Sequence, residues 1–229
     1  MKSIRYLSVQ FDQQIKSDEV RFFRSAVIEK TERKSDLFHN HKGDEQQVIY
    51  RYPFIQYKLL QGGHAGIVCL EEGTDDIHQL FQARNLELRI GRRQQTFKVM
   101  DMQLRYHDVA LIDAPITYHI TNYLPFNQER YARWQALEGQ DAARAELLTA
   151  TLRGNILAFA KGLGWWIDGR VHVSLESLDL PRTVQFKQQR LLAFDLNFSV
   201  NVDLPPFVGL GKGVSIGHGT ITPQTSLSA

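Results

Sequence analysis

The chain has 229 residues, of which 43% are hydrophobic and 23% charged, with a formal net charge of +2. This is enough for one or two globular domains with hydrophobic cores. A lone cysteine, Cys69, excludes an internal disulfide, and no apolar run approaches the roughly 18 residues of a membrane-spanning helix. The N-terminus lacks the apolar segment of a signal peptide, so we expect a cytoplasmic protein that enters no membrane.

The first half of the chain predicts the order β-α-β-β-α-β, which matches the ferredoxin-like motif. Alternating or β-branched apolar residues predict the strands, and Ser17 and Thr74 are the expected N-caps of the two helices. The predicted strands are residues 4–11, the aromatic stretch VIYRYPFIQYKLL interrupted at Pro53, Ala65–Leu70, and Leu86–Ile90 with a continuation or hairpin after Gly91.

A domain boundary is predicted near Tyr106–Pro115, which gives domains of residues 1–105 and 106–229. The second domain opens with a strand, Ile116–Thr121, and continues with two successive helices. Asn127 is the expected cap of the first, and Gly162 is the expected C-terminal glycine of the second, Asp141–Lys161. The predicted strands that follow are Trp165–Ile167, Val171–Leu175, Thr183–Lys187 and Leu191–Leu204.

Positive charge is local rather than global. Phosphate binding depends on local positive potential, so a net charge of +2 neither identifies nor excludes a nucleic-acid binder. Taken alone, basic clusters are more often solvated surface than a binding face. The clusters are Lys30, Arg33 and Lys34; Arg89, Arg92, Arg93 and Lys98; Arg182, Lys187 and Arg190; and the lone Lys212.

The C-terminal segment GLGKGVSIGHG, residues 209–219, is rich in glycine. Glycine permits positive φ and close approach of a ligand to the backbone, and successive N–H groups can cradle a phosphate. Lys212 adds a charge and Ser215 a hydroxyl. The segment is not a P-loop, because Lys212 precedes Gly213 rather than Ser or Thr, and too little chain follows for a dinucleotide fingerprint. A tight turn between two strands is the alternative interpretation.

The segment LFHNHKGD places His39 and His41 after the first helix. Histidine is the side chain best suited to exchange protons near neutral pH. An H-x-H pair can also bind a metal, but a closed zinc site needs further ligands, and we predict no metal and no cofactor. An exposed polar loop is the remaining alternative for this segment.

The glycine-rich and histidine segments resemble those of the RAMP superfamily of CRISPR-associated proteins, and within it the repeat-cleaving Cas-six family. The loop of that family interleaves glycines with a basic and a small hydroxyl residue, as Gly211-Lys212-Gly213-Val214-Ser215 does here. His218 departs from the pattern, since many members carry an aromatic residue there. The resemblance implies an α+β fold of two tandem ferredoxin-like domains, the second degenerate.

The resemblance also implies a function, namely cleavage of precursor CRISPR RNA within its repeats by metal-independent acid-base catalysis with a 2′,3′-cyclic phosphate product. Many members carry a catalytic histidine after the first helix, which corresponds to His41 or His39, with His41 preferred. Arg51 or Lys58 would supply a cation to the phosphate. The residues expected to bind RNA are Arg51, Lys58, Gly209, Gly211, Lys212, Gly213, Ser215 and Gly217.

The expected partner is CRISPR repeat RNA, with other CRISPR-associated proteins as further partners and a monomer or homodimer as the assembly. Two rival functions remain open at this point. One is a non-catalytic RNA-binding RAMP subunit of a CRISPR effector complex, since several relatives keep the loop and lack catalysis. The other is an unrelated α+β enzyme whose glycine-rich loop holds a phosphorylated small molecule.

Overall fold

The computed structural model describes residues 1–31, 37 and 52–224. The chain divides into two compact units, each of which is made of segments that are not contiguous in sequence. The N-terminal unit comprises Ser3–His107 and Ser215–Gly217, and the C-terminal unit comprises Met1–Lys2, Asp108–Val214 and His218–Ala229. Three residues of the glycine-rich segment therefore belong to the N-terminal unit.

The N-terminal unit is built on a sheet with the strand order β2-β3-β1-β6. Strand β3 runs antiparallel to both of its neighbours, β1 and β2. The strands of this unit are β1 (Lys2–Gln14), β2 (Ile55–Leu59), β3 (His64–Leu70), β4 (Glu87–Ile90), β5 (Arg93–Thr96) and β6 (Val99–Val109). Its helices are α1 (Val20–Lys30), α2 (Gly73–Asp76) and α3 (His78–Phe81).

The first and third strands of the motif occupy the middle of this sheet, with the second and fourth at its edges, which confirms the ferredoxin-like fold. The fourth strand is β6 rather than Leu86–Ile90, which was the predicted one. Strand β4 instead pairs with β5 as a separate hairpin around Gly91. Both segments alternate locally, and only pairing with β1 distinguishes them.

Aromatic rings fill the core between α1 and the sheet. Phe23 of α1 stacks on Phe97 with ring centroids 5.5 Å apart and meets Tyr57 of β2 edge-on at 5.9 Å. Val20, Phe23 and Val27 are buried at helical spacing, as the sequence predicts. Edge-to-face and offset ring pairs of this kind add to the hydrophobic gain of burial.

The two predicted N-caps of this unit are wrong. Ser17 lies in a 3₁₀ turn, Ser17–Glu19, and α1 begins only at Val20. Thr74 donates its hydroxyl to the carbonyl of Glu71 at 2.7 Å instead of accepting from a helix N–H. The second helix of the motif is reduced to the single turns α2 and α3.

The C-terminal unit contains a second antiparallel sheet, with β9 paired to β10 beside the order β11-β7-β10-β8. Its strands are β7 (Leu111–Tyr123), β8 (Val173–Leu178), β9 (Arg182–Phe186), β10 (Gln189–Val202) and β11 (Thr220–Pro223). Two successive helices, α4 (Gln128–Ala136) and α5 (Asp141–Gly162), follow β7 as predicted. Among the described helices, none is long and apolar enough to cross a membrane.

Local sequence signals predicted most of the helices and strands of this unit correctly. Asn127 caps α4 by accepting from the N–H of Arg130 at 2.8 Å. The residues Leu148, Leu152, Ile156 and Phe159, whose helical spacing predicts the apolar stripe of α5, are buried. Gly162 is not the terminal glycine, because the helix includes it and the left-handed residue after the helix is Gly164, at φ +66°. Trp165–Ile167 forms no strand, and β11 was not predicted.

Lys58 of β2 is fully buried, an unusual place for an ammonium group. Within the part of the chain that the structure describes, its Nζ atom has no hydrogen-bond partner. Burial disfavours the charged form and lowers the pKa of Lys58 from 10.5 to about 7. The folded chain therefore holds a group that is costly to charge.

Lys58→Met should raise the free energy of unfolding near pH 6 by on the order of 1–4 kcal/mol, since it replaces a buried charge with an apolar chain of similar length. Between pH 7 and 10.5 the unfolded chain binds a proton that the folded chain releases, so wild-type stability rises with pH in that window. The advantage of the variant should therefore shrink as the pH approaches about 10.

Denaturant titrations at several pH values measure this difference. Lys98→Met, which replaces an exposed lysine of the same unit, is the matched control and should show no such pH trend. A constant advantage of Lys58→Met from pH 6 to pH 10 would mean that Lys58 titrates normally in the folded chain.

Candidate functional site

The predicted catalytic residues His39 and His41, together with Arg51, lie outside the described residues. Their roles stay predictions. The remaining predicted site residues are Lys58 on β2 and the members of the glycine-rich segment Gly209–Gly219, all of which the structure describes.

The middle of the glycine-rich segment pairs with the outer side of β2. The N–H of Tyr57 donates to the carbonyl of Ser215 at 3.2 Å, and Tyr57 and Ile216 form a parallel bridge. Gly217 lies beside Val20 and the Tyr57 carbonyl, where a Cβ atom would come within 3.3 Å of the valine. In the N-terminal unit, Ser215–Gly217 therefore runs beside β2 through an isolated bridge, and Lys58 follows Tyr57 on β2.

The flanks of the segment are held by backbone hydrogen bonds within the C-terminal unit. The N–H of Leu210 donates to Gly219 at 2.9 Å, that of Lys212 to Leu124 at 3.1 Å, and that of Gly219 to Asn122 at 3.1 Å. These N–H groups are thus already engaged by protein carbonyls. These three N–H groups are therefore not available to a phosphate, whereas the side chains of Lys212 and Ser215 are partly exposed.

Asn122 is the anchor of this arrangement. It adopts a left-handed backbone, at φ +55°, and its carbonyl accepts both the N–H of Gly219 and, at 3.3 Å, Nδ1 of His218. The Asn122 N–H donates to Asp195, and its side-chain oxygen accepts from Arg182 at 3.1 Å. A single asparagine therefore connects the glycine-rich segment to an ion pair.

That ion pair is bidentate, since Arg182 donates to both carboxylate oxygens of Asp195, at 2.5 and 3.2 Å. Partial burial of Asp195 raises its pKa, but the hydrogen bonds from Arg182 and the Asn122 N–H outweigh this effect, and the pKa of Asp195 is lowered. The pair is thus ionised at neutral pH and keeps Asn122 in place.

His218 is held in position by contacts of its ring. Besides the Asn122 carbonyl, its ring meets Phe186 of β9 edge-on, with centroids 5.5 Å apart. The sequence left the role of His218 open, and these contacts suit a planar ring at this position. Elsewhere in the described chain, His64 and His119 bond through Nδ1 to the Phe11 carbonyl and the Asn197 side chain.

Gly213 and Gly219 are required by space as well as by conformation. At Gly213, φ is +70° and a Cβ atom would lie 2.7 Å from both His218 and Phe186. At Gly219, φ is +62° and a Cβ atom would lie 1.9 Å from the Leu210 carbonyl oxygen. Both positions fit the alternative of a tight turn, so the glycines shape the segment that presents Lys212. Gly209 pairs with Thr220 and Gly211 lies against Tyr123.

Arg24 is a further cation near β2 that the sequence pattern did not identify. Arg24 of α1 is largely buried near Tyr57, and desolvation lowers its pKa. Burial raises the pKa of the Tyr57 hydroxyl, which stays neutral. In the described ranges no group of three or more His, Cys, Asp or Glu side chains is placed to hold a metal ion.

Gly213→Ala should lower the free energy of unfolding by about 1–3 kcal/mol more than Gly139→Ala. Gly139 has a similar φ, +76°, but no atom lies within 4 Å of the position that its Cβ would take, so it isolates the backbone strain. The difference reports the contact with His218 and Phe186. Equal losses in chemical denaturation would show that the turn yields to a Cβ atom without cost.

The match to protein families covers both halves of the chain. The family model described as the Cas6b N-terminal domain matches residues 2–108, and that of the Cas6b C-terminal domain matches residues 110–224. In sequence, the uncharacterized protein MJ0978 of Methanocaldococcus jannaschii is 25% identical over 120 residues, which cover 52% of this chain and 80% of that protein.

Solved structures share the fold. A crystal structure of Cas6b has a TM-score of 0.87 at 23% identity, covering 97% of this chain and 100% of that chain. A structure described as the CRISPR RNA processing endoribonuclease Cas6b has a TM-score of 0.73 at 22% identity, with the same coverage. The type IV Cas6 crRNA endonuclease Csf5 has a TM-score of 0.58 at 15% identity, covering 98% and 100%.

These structural likenesses establish the two-domain α+β fold. The two family models span almost the whole chain, each over its own domain, and the chain therefore belongs to the Cas6b family.

Proposed function

We propose that this protein is an endoribonuclease that cleaves precursor CRISPR RNA within its repeats. The observation that carries the proposal is the match of the two Cas6b domain models to residues 2–108 and 110–224. Two of the proteins that share its fold are described as CRISPR RNA endonucleases, one of them a Cas6b. The histidine pair and the glycine-rich segment fit the same activity.

The proposed reaction uses the nucleophile that RNA itself carries. A base removes the proton of a 2′-hydroxyl, and its oxygen forms a bond to the adjacent phosphorus. The bond from phosphorus to the departing 5′-oxygen breaks, and an acid protonates that oxygen. The products are a 2′,3′-cyclic phosphate and a 5′-hydroxyl. Neither redox chemistry nor a metal-bound water is needed, so the proposed mechanism is metal-independent.

His41 and His39 are the proposed base and acid, with His41 preferred for the principal role. An imidazole titrates near neutral pH and can both accept and donate a proton. Arg51 or Lys58 is the proposed cation that stabilises charge developing on the phosphate. A pKa of about 7 would also let Lys58 give up a proton at neutral pH. Its ammonium is enclosed in this structure, so contact with a phosphate requires the covering groups to open.

The proposed RNA contacts of the glycine-rich segment come from side chains. Lys212 and Ser215 are both partly exposed, and the Ser215 backbone bonds to the edge strand β2. The glycines Gly209, Gly211, Gly213 and Gly217 contribute by setting the path of the chain that presents these side chains. Repeat RNA is thus the proposed partner.

His39→Ala and His41→Ala should slow cleavage of a repeat RNA, at least one of them by roughly 10²–10⁴-fold, the usual contribution of a positioned acid or base. Affinity for the RNA should change much less, because neither histidine is among the proposed RNA-binding residues. Single-turnover cleavage beside a binding titration measures the two effects separately.

His172→Ala is the matched control, since His172 is exposed and belongs to neither proposed role. Normal cleavage by His39→Ala, His41→Ala and the double variant would show that neither histidine is the catalytic acid or base. Binding of repeat RNA without any cleavage by the unaltered protein would favour the rival function, a non-catalytic RAMP subunit.

Excess EDTA should leave cleavage unchanged, because the proposed groups are all side chains and the RNA 2′-hydroxyl. A deoxyribose at the nucleotide 5′ of the cut should abolish cleavage and leave binding nearly intact, since only the nucleophile is lost. Gel analysis of end groups checks the cyclic phosphate. Cleavage that stops in EDTA and returns with magnesium would contradict the mechanism, as would cleavage of the deoxy substrate.

A further inference from the structure

The C-terminal unit contains an open cleft of about 470 Å³ beside the glycine-rich segment. Its walls come from the start of α4, the start of β10 and Lys212. Leu124 and Phe126 contribute apolar surface, while Gln128, Tyr131, Arg190 and Lys212 contribute polar and aromatic groups. The volume falls in the range of roughly 300–1,000 Å³ that small-molecule sites occupy.

Two cations reach this cleft from segments that are distant in sequence. Arg190 lies at the beginning of β10, and Lys212 is held by the hydrogen bond from its N–H to the Leu124 carbonyl at 3.1 Å. Among the described residues, neither side chain forms an ion pair with a carboxylate. Two uncompensated cations around one concave surface create the local positive potential that attracts an anion.

The other walls suit a planar heterocycle rather than a simple anion. The Tyr131 side chain is 39% exposed, so part of its ring is open to contact. Gln128 carries both an amide donor and an acceptor at the edge of the cleft, next to the apolar surface of Leu124 and Phe126. Aromatic stacking with a base is tolerant of its identity because every base has a π face.

We propose that this cleft binds one nucleotide of single-stranded RNA, with its base against Tyr131 and a phosphate against Arg190 and Lys212. The choice of RNA rests on the proposed function, whereas the recognition of a base joined to a phosphate follows from the cleft itself. Among the described residues, the proposed cation Lys58 does not line the cleft, so we propose that the nucleotide held here is other than the scissile one.

Adenosine 3′,5′-bisphosphate is a suitable probe, since it carries one base and two phosphates and cannot be cleaved by 2′-hydroxyl attack on an internucleotide bond. Calorimetric titration of the full chain at low ionic strength should detect binding, and inorganic phosphate should bind more weakly. Arg190→Ala and Lys212→Ala should each weaken binding about tenfold, the loss of one charge-assisted contact. Tyr131→Ala should weaken it severalfold, while Tyr131→Phe keeps the ring and the affinity.

Arg133→Ala is the matched control, because Arg133 is exposed on the same helix and does not line the cleft. It should leave binding unchanged. The proposal is overturned if the bisphosphate does not bind, if it binds no better than phosphate, or if Arg133→Ala weakens binding as much as Arg190→Ala. Thermal melts of each variant should match the wild type, since all these side chains are at the surface.

The same variants separate this proposal from the proposed function. With repeat RNA, Arg190→Ala and Tyr131→Ala should weaken binding and leave the single-turnover cleavage rate at saturating protein unchanged. If the unaltered protein binds the bisphosphate but does not cleave RNA, the nucleotide cleft is supported and the proposed endoribonuclease activity is contradicted. If it cleaves RNA but does not bind the bisphosphate, the proposed activity is supported and the nucleotide cleft is contradicted.

Discussion

The candidate site depends on the hydrogen bond from the Tyr57 N–H to the Ser215 carbonyl, which satisfies a buried donor on the edge strand β2. Strand β2 lies at the edge of its sheet, yet Gln56, Tyr57 and Lys58 are fully buried there. A buried N–H without a partner is costly, so an enclosed edge strand needs a neighbour. Ser215–Gly217 supplies that neighbour from the far end of the chain. The path of the glycine-rich segment is therefore fixed by strand pairing before any ligand is considered.

The rest of that segment follows from what must surround it. Asn122 takes a left-handed conformation so that its carbonyl meets Gly219 and His218, and the Asp195 carboxylate compensates the Asn122 N–H. Backbone strain of this kind persists only where neighbouring contacts over-determine it. Here the strained residue binds Gly219 and His218, so its conformation fixes the C-terminal end of the glycine-rich segment.

Features that depend on neighbouring residues in the chain could be predicted from the sequence. The cap at Asn127 and the buried stripe of α5 depend on residues a few positions apart, and both were predicted correctly. The prediction of the fourth strand of the first sheet was wrong because β4 and β6 both alternate apolar and polar residues, and only pairing with β1 distinguishes them. Lys58 was proposed as an RNA contact on the strength of its charge; its enclosure depends on which face of β2 is covered, and a single strand cannot reveal that. The nucleotide cleft was missed for the same reason, since Tyr131, Arg190 and Lys212 meet only in the folded chain.

A division between chemistry and binding explains how this composition is compatible with an RNA-cleaving role. In the proposed mechanism the RNA brings its own nucleophile, so the protein needs only an acid, a base and a cation near one phosphate. Affinity must then come from elsewhere, and a net charge of +2 offers no strong global attraction. Discrete contacts away from the cut can supply it, each through one cation and one stacking surface. Because such contacts act equally on substrate and transition state, they hold the RNA without altering the rate of the bond-breaking step. Two separable sets of residues are therefore expected in this fold, one near the histidines and one around Lys212.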